Sequence, residues 1–119
     1  MTVTIRLPWP NRGLSPNARL HYMALAKLKA AAKRDAAYLT LAALPRGGRT
    51  FSAPLPMRWT FCPPSRRHYD RDNLIASMKA AADGIAQAIG LDDRHFVPTY
   101  DMGEPVKGGA VVVVIGGAE

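Results

Sequence analysis

The chain predicts a single α/β (α+β) domain in which two main helices pack on a mixed β-sheet, in the order β-α-β-α-β-β. Three observations predict it. Two segments alternate apolar and polar residues at the period of a strand. Two others repeat their apolar residues three and four apart, as helices do, and a valine run near the end shows no alternation. With 119 residues, 48% of them hydrophobic and 21% charged, residues 1–119 suit one domain with its own core rather than a disordered chain.

Thr2 to Leu7 sets Val3, Ile5 and Leu7 against Thr2, Thr4 and Arg6, the pattern of a half-buried strand, and Pro8 and Pro10 stop it. Asn11 to Asn17 is loop by composition, with Asn17 placed to cap the next element. Ala18 to Leu44 is rich in Ala, Leu and Lys, all good helix formers. Its Tyr22, Leu25, Leu28, Ala32, Ala36, Leu39 and Ala43 form one stripe that predicts a core face. Lys27, Lys33 and Arg34 lie mostly off that stripe, either solvated or turned to phosphate.

Pro45 to Pro54, with Gly47 and Gly48, reads as a flexible basic connection. Leu55 to Cys62 predicts a second strand with Leu55, Met57, Trp59 and Phe61 on one side. After Pro63-Pro64-Ser65, residues 73–89 predict a second helix whose Ile75, Met78, Ala82, Ile85 and Ile89 share a buried face. Asp72 or Asn73 caps it, and Gly90 takes the C′ position. Gly84 weakens its interior, for which close packing is one reason. Leu91 to Arg94 is a polar turn. His95 to Asp101 and Ala110 to Ile115 predict a closing strand pair joined through Gly103 to Gly109. The unbroken run Val111 to Ile115 predicts a central strand covered on both faces.

The single cysteine, Cys62, cannot form an internal disulfide and reads as a buried small hydrophobe in a reducing compartment. Met1 to Pro10 lacks the apolar stretch of a signal peptide, and no run reaches transmembrane length. A soluble, cytoplasmic protein without a membrane partner is the expectation. The net charge of +7 is unevenly spread: residues 1–71 carry 13 Lys and Arg against two acids, while 72–119 carry three against seven. Such polarity suggests a basic face for a polyanion with acids within reach of it.

Those acids stand in a telling place. In Arg66-Arg67-His68-Tyr69-Asp70-Arg71-Asp72-Asn73 two carboxylates sit inside the most basic stretch of the chain. Arginines hold phosphates, and paired Asp oxygens can hold a divalent cation that activates water on a phosphodiester. On an extended chain Asp70 and Asp72 point the same way. Asp93 follows a helix of about 25 Å, so it joins them only if the chain folds back, as after a break near Gly84, or if a second subunit supplies it. Lys79, two turns beyond Asp72, could neutralise charge on a scissile phosphate. Arg66, Arg67 and Arg71 are the leading phosphate contacts, with Asn73 and Lys107 as further ones. Plain structural roles are also open to these acids: Asp70 paired with Arg67 or Arg71, Asp72 as cap, Asp92 and Asp93 in a turn. His21, His68 and His95 lack zinc-ligand spacing, and neither a phosphate-binding glycine loop nor a serine-hydrolase elbow is present.

Leu7-Pro8-Trp9-Pro10, Asp70-Arg71-Asp72-Asn73-Leu74, Leu91-Asp92-Asp93 and Lys107-Gly108-Gly109, in this order and at similar spacing, resemble the RusA family of Holliday-junction resolvases. The likeness runs over almost the whole chain. It implies a homodimeric, magnesium-dependent endonuclease of phage or prophage type, with manganese able to substitute and no nucleotide cofactor. Such an enzyme resolves four-way DNA junctions by paired symmetric nicks in recombination and repair. It implies Asp70, Asp72 and Asp93 as metal-binding catalytic carboxylates. The family lysine stands two residues after the leucine, where this chain has Ala76, so its role falls to Lys79. The other readings are a non-catalytic DNA-binding or phage accessory protein with the same fold, and a nuclease acting on RNA or flaps.

Overall fold

Strict alternation of burial along Val3, Ile5 and Leu7 begins the sheet. A computed structural model describes residues 2–46 and 50–117. Its elements are β1 (Val3–Pro8), α1 (Tyr22–Ala43), β2 (Leu55–Cys62), α2 (Arg71–Ser77), α3 (Lys79–Ile89), β3 (Phe96–Met102) and β4 (Ala110–Ile115). Single 3-10 turns form at Arg12–Leu14 and Asp93–His95. The fold is α+β: three helices and one mixed sheet of order β1-β4-β2-β3. Gly47 and Gly48 of the expected flexible connection lie outside the described residues.

β4 pairs antiparallel with both β1 and β2, so that Val113 faces Ile5 on one side and Trp59 on the other. It is central, as its valines predict. The cover on its second face is only partial. Val111, Val113 and Ile115 are buried, whereas Val112 and Val114 are half-buried beside Arg6, Thr4, Thr60 and Arg58. Alternation is present but invisible, because both faces of the strand are valine.

The closing strand pair is corrected. β3 does not pair with β4; it runs parallel to β2 as an exposed edge, Leu55 opposite Phe96. The connection from β3 to β4 instead passes over the end of β2, where Gly103 N–H donates to the Phe61 carbonyl and Val106 N–H to Pro63. Cys62 is half-buried beneath it rather than fully enclosed.

The second helix is two helices. Met78, at φ −97° and ψ 5°, breaks it between α2 and α3. The break is not at Gly84. That glycine serves packing instead. A Cβ there would stand 2.2 Å from the Lys33 carbonyl oxygen, so its absence lets α3 press against the α1 backbone. The first helix begins at Tyr22 with His21 as cap, its Nδ1 accepting from Met23 N–H at 3.2 Å, later than Asn17 would start it. Its apolar stripe is core only in part: of it only Ala36 is fully buried, joined by the off-stripe Thr40, while Tyr22 is 75% exposed. Inward residues of β1, β2 and β4 join Ala36, Leu74, Met78, Ala81 and Ile85 in one core. Among the described residues no helix is long and apolar enough to cross a membrane.

Candidate functional site

A cleft of about 900 Å³ opens where two distant segments meet. One wall is the turn after β1, from Trp9 to Gly13 and on to Leu20. The other is Arg67 to Asp70 with Asn73, Leu74 and Ser77 of α2. Trp9 ties the walls together. Its ring lies edge-on to Tyr69 at 5.4 Å and to Phe61 at 6.3 Å. Gly109, at φ 73°, approaches Trp9 and Pro64 so closely that a Cβ would come within 2.9 Å of the indole. The proline-tryptophan start, the Asp-Asn motif and the Lys-Gly-Gly turn therefore share one neighbourhood, with aromatic edges and glycine making the close approach feasible.

Asp70 lines this cleft and caps α2, accepting from Asn73 N–H at 3.1 Å. Asn73 lines it too. The Arg67 guanidinium lies 4.5 Å over the Tyr69 ring, a cation–π contact that holds its charge at the cleft edge. The Ser65 hydroxyl, and after it Arg67, hold the Tyr69 phenol below its usual value. Arg12 faces this group from the opposite wall. Reasoning from the sequence missed it, although its place directly after Pro-Trp-Pro-Asn was the available signal.

The other candidate residues stand elsewhere. Arg71 turns away and donates to the Tyr100 carbonyl at 2.9 Å, tying α2 to β3. Arg66 pairs with Glu104 at 3.6 Å. Lys107 is exposed in the turn before β4. Asp72 sits in the first turn of α2, exposed and without a hydrogen bond or ion pair among the described residues. The chain is already helical at Arg71, so Asp70 and Asp72 do not face each other as they would on an extended strand.

Asp93 does fold back, but to Lys79. The Lys79 ammonium donates to Asp93 and, at 2.9 Å, to Asp83. Asp93, and then Asp83, raise the Lys79 pKa well above the usual lysine value, and Lys79 lowers that of Asp93. Lys79 opens α3, beyond the break at Met78, whereas Asp70 and Asp72 stand at the start of α2. Asp70, Asp72 and Asp93 thus do not form one ligand set within a single chain. Among the described residues no three His, Cys, Asp or Glu side chains are placed to hold a metal ion. The residues present do not fit a three-carboxylate magnesium site in one chain.

No family model matches the sequence. An uncharacterized protein of Xylella fastidiosa is 40% identical over 119 residues, an alignment that spans 96% of this chain and 76% of that protein. At that identity and coverage, the chain belongs to the same family as the Xylella fastidiosa protein.

Proposed function

We propose that the chain is a structure-selective DNA endonuclease that binds four-way junctions at the Trp9–Asp70 cleft and nicks them in pairs as a homodimer. One observation carries this reading: two of the four segments that resemble a junction resolvase, the Pro-Trp-Pro start and the Asp70–Leu74 motif, far apart in sequence, line a single cleft edged by arginines, and Gly109 of a third packs against Trp9 behind it. Arg12 and Arg67 take backbone phosphates from opposite walls, and Asn73 offers a further hydrogen bond. The Asp70 carboxylate is the acid that stands among them. Selection of branched DNA then comes from shape and deformability rather than from base edges, and a two-fold dimer matches the symmetry of the junction.

Magnesium, or manganese in its place, enters this reading through the sequence resemblance alone, because one chain does not gather the three carboxylates. A second reading, a non-catalytic DNA-binding protein of the same fold, is favoured by that scatter and by the ion pairs that occupy Asp93 and Lys79.

One experiment separates the two. Purified protein is incubated with a synthetic mobile four-way junction or with linear duplex, with and without magnesium. The nuclease reading expects symmetric nicks in the junction only when magnesium is added, and an Asp70→Asn variant that still binds but cuts at least 100-fold more slowly. Binding without cutting favours the second reading. Unchanged cutting by Asp70→Asn removes the carboxylate from the chemistry.

A further inference from the structure

Beside the cleft runs a second groove of about 670 Å³, between α1 and the start of α3. The two share the residues Gly13, Ser15, Ala18 and Ser77, so they form one continuous trough. Lys29 and Lys33 of α1 line the second groove, opposite Lys79. Lys79 is already neutralised by Asp83 and Asp93. Lys29 and Lys33 are exposed and make no ion pair among the described residues, although Lys33 also borders the end where Asp83, Asp92 and Asp93 stand. Two like charges four apart on a helix repel each other slightly. The helix carries that penalty on the face turned to the groove. Lys27, two residues before Lys29, points about 200° away around the helix and does not line it.

We infer that Lys29 and Lys33 form a second phosphate-binding track, which takes the backbone of the DNA strand leaving the Asp70 cleft. The inference rests on the DNA-binding reading above and extends it to residues with no part in the proposed chemistry. The two ammonium groups stem from positions about 6 Å apart along the helix axis, a separation that suits phosphates of one strand. Ser77, at the seam of the two grooves, has its hydroxyl turned to the Asn73 carbonyl at 2.7 Å, so the passage between them carries no charge of its own.

The test is salt-dependent binding of a labelled four-way junction by the full chain and by the Lys29→Ala/Lys33→Ala variant. Each lost phosphate contact flattens the plot of log K against log salt by about 0.9. The double variant should therefore bind with a slope shallower by about 2 for each chain engaged, about 4 where a dimer holds the junction. Lys27→Ala should leave the slope unchanged, and Lys29→Arg/Lys33→Arg should restore it. Alanine suits exposed helix positions, so the thermal midpoint should not fall. An unchanged slope in the double variant, or an equal loss per lysine in Lys27→Ala, overturns the track. If the junction is cut normally and the slope is unchanged, the track falls while the nuclease reading stands. A flattened slope in a chain that never cuts supports the track and removes the nuclease reading.

Discussion

Gly84 shows how a single missing methyl group can set a helix crossing. Alanine there would gain about 1 kcal/mol of helix propensity. It would also drive a Cβ to 2.2 Å from a backbone oxygen that cannot rotate away. Overpacking of this kind costs about 1–3 kcal/mol, and more against rigid backbone. Gly84→Ala should therefore lose about 2 kcal/mol or more in urea unfolding, and an equally stable variant would show that α1 and α3 do not touch there. Asp70 makes a complementary case. Asn caps a helix as well as Asp, whereas Ala forfeits about 1 kcal/mol. Asp70→Asn should keep wild-type stability and Asp70→Ala should lose about 1 kcal/mol, so only the Asn variant reports on the carboxylate without disturbing α2.

Among the elements, the legible part was whatever depends on neighbours along the chain. β1, β2 and β4 stand where alternation and the valine run put them. The partner of β3 could not be read in the same way, because strand order is decided by long-range pairing that no local pattern encodes. The break at Met78 was equally hidden, since Ile75, Met78 and Ala82 keep helical spacing across it. Of the site, the acids and Arg67 were readable from their crowding, while Arg12, with only its place after Pro-Trp-Pro-Asn to mark it, takes its meaning from the turn after β1 lying across the cleft from α2. The return of Asp93 to Lys79 makes a further prediction. Asp93 is depressed below the ordinary carboxyl value of 3.8, so its stabilisation is complete above that pH and is lost as pH falls through the lower folded value. Lys79 is raised above 10.5, so its share is present below that pH and is lost only as pH climbs past the folded value. With Lys79 67% and Asp93 30% exposed, the pair is worth about 1 kcal/mol at most. Asp93→Asn should lower the thermal midpoint slightly at neutral pH, with the difference from wild type shrinking below pH 3.8 and vanishing only once pH has passed the lower folded value. A difference that persists in acid would mean the asparagine disturbs packing instead.

For the molecule as a whole, the net +7 matters less than where unpaired cations stand. Arg66 is tied to Glu104, Arg71 to Tyr100 and Lys79 to two acids. Of the cations that line the trough, Arg12, Arg67, Lys29 and Lys33 make no ion pair among the described residues. Four phosphate contacts give a salt slope of about −3.6 on duplex DNA, and two troughs engaged by a dimer on one junction give about −7. Affinity per chain should thus fall roughly 150-fold between 50 and 200 mM salt if one chain binds alone, and far more steeply if two do. Measuring the slope on a four-way junction and on linear duplex reads both the trough and the assembly. A slope near −7 on the junction with about half that on duplex is the outcome expected of a symmetric pair. A slope near −1 on both would mean that the cations of the trough stay in solvent, and with them would go the case for a backbone-binding surface on this face.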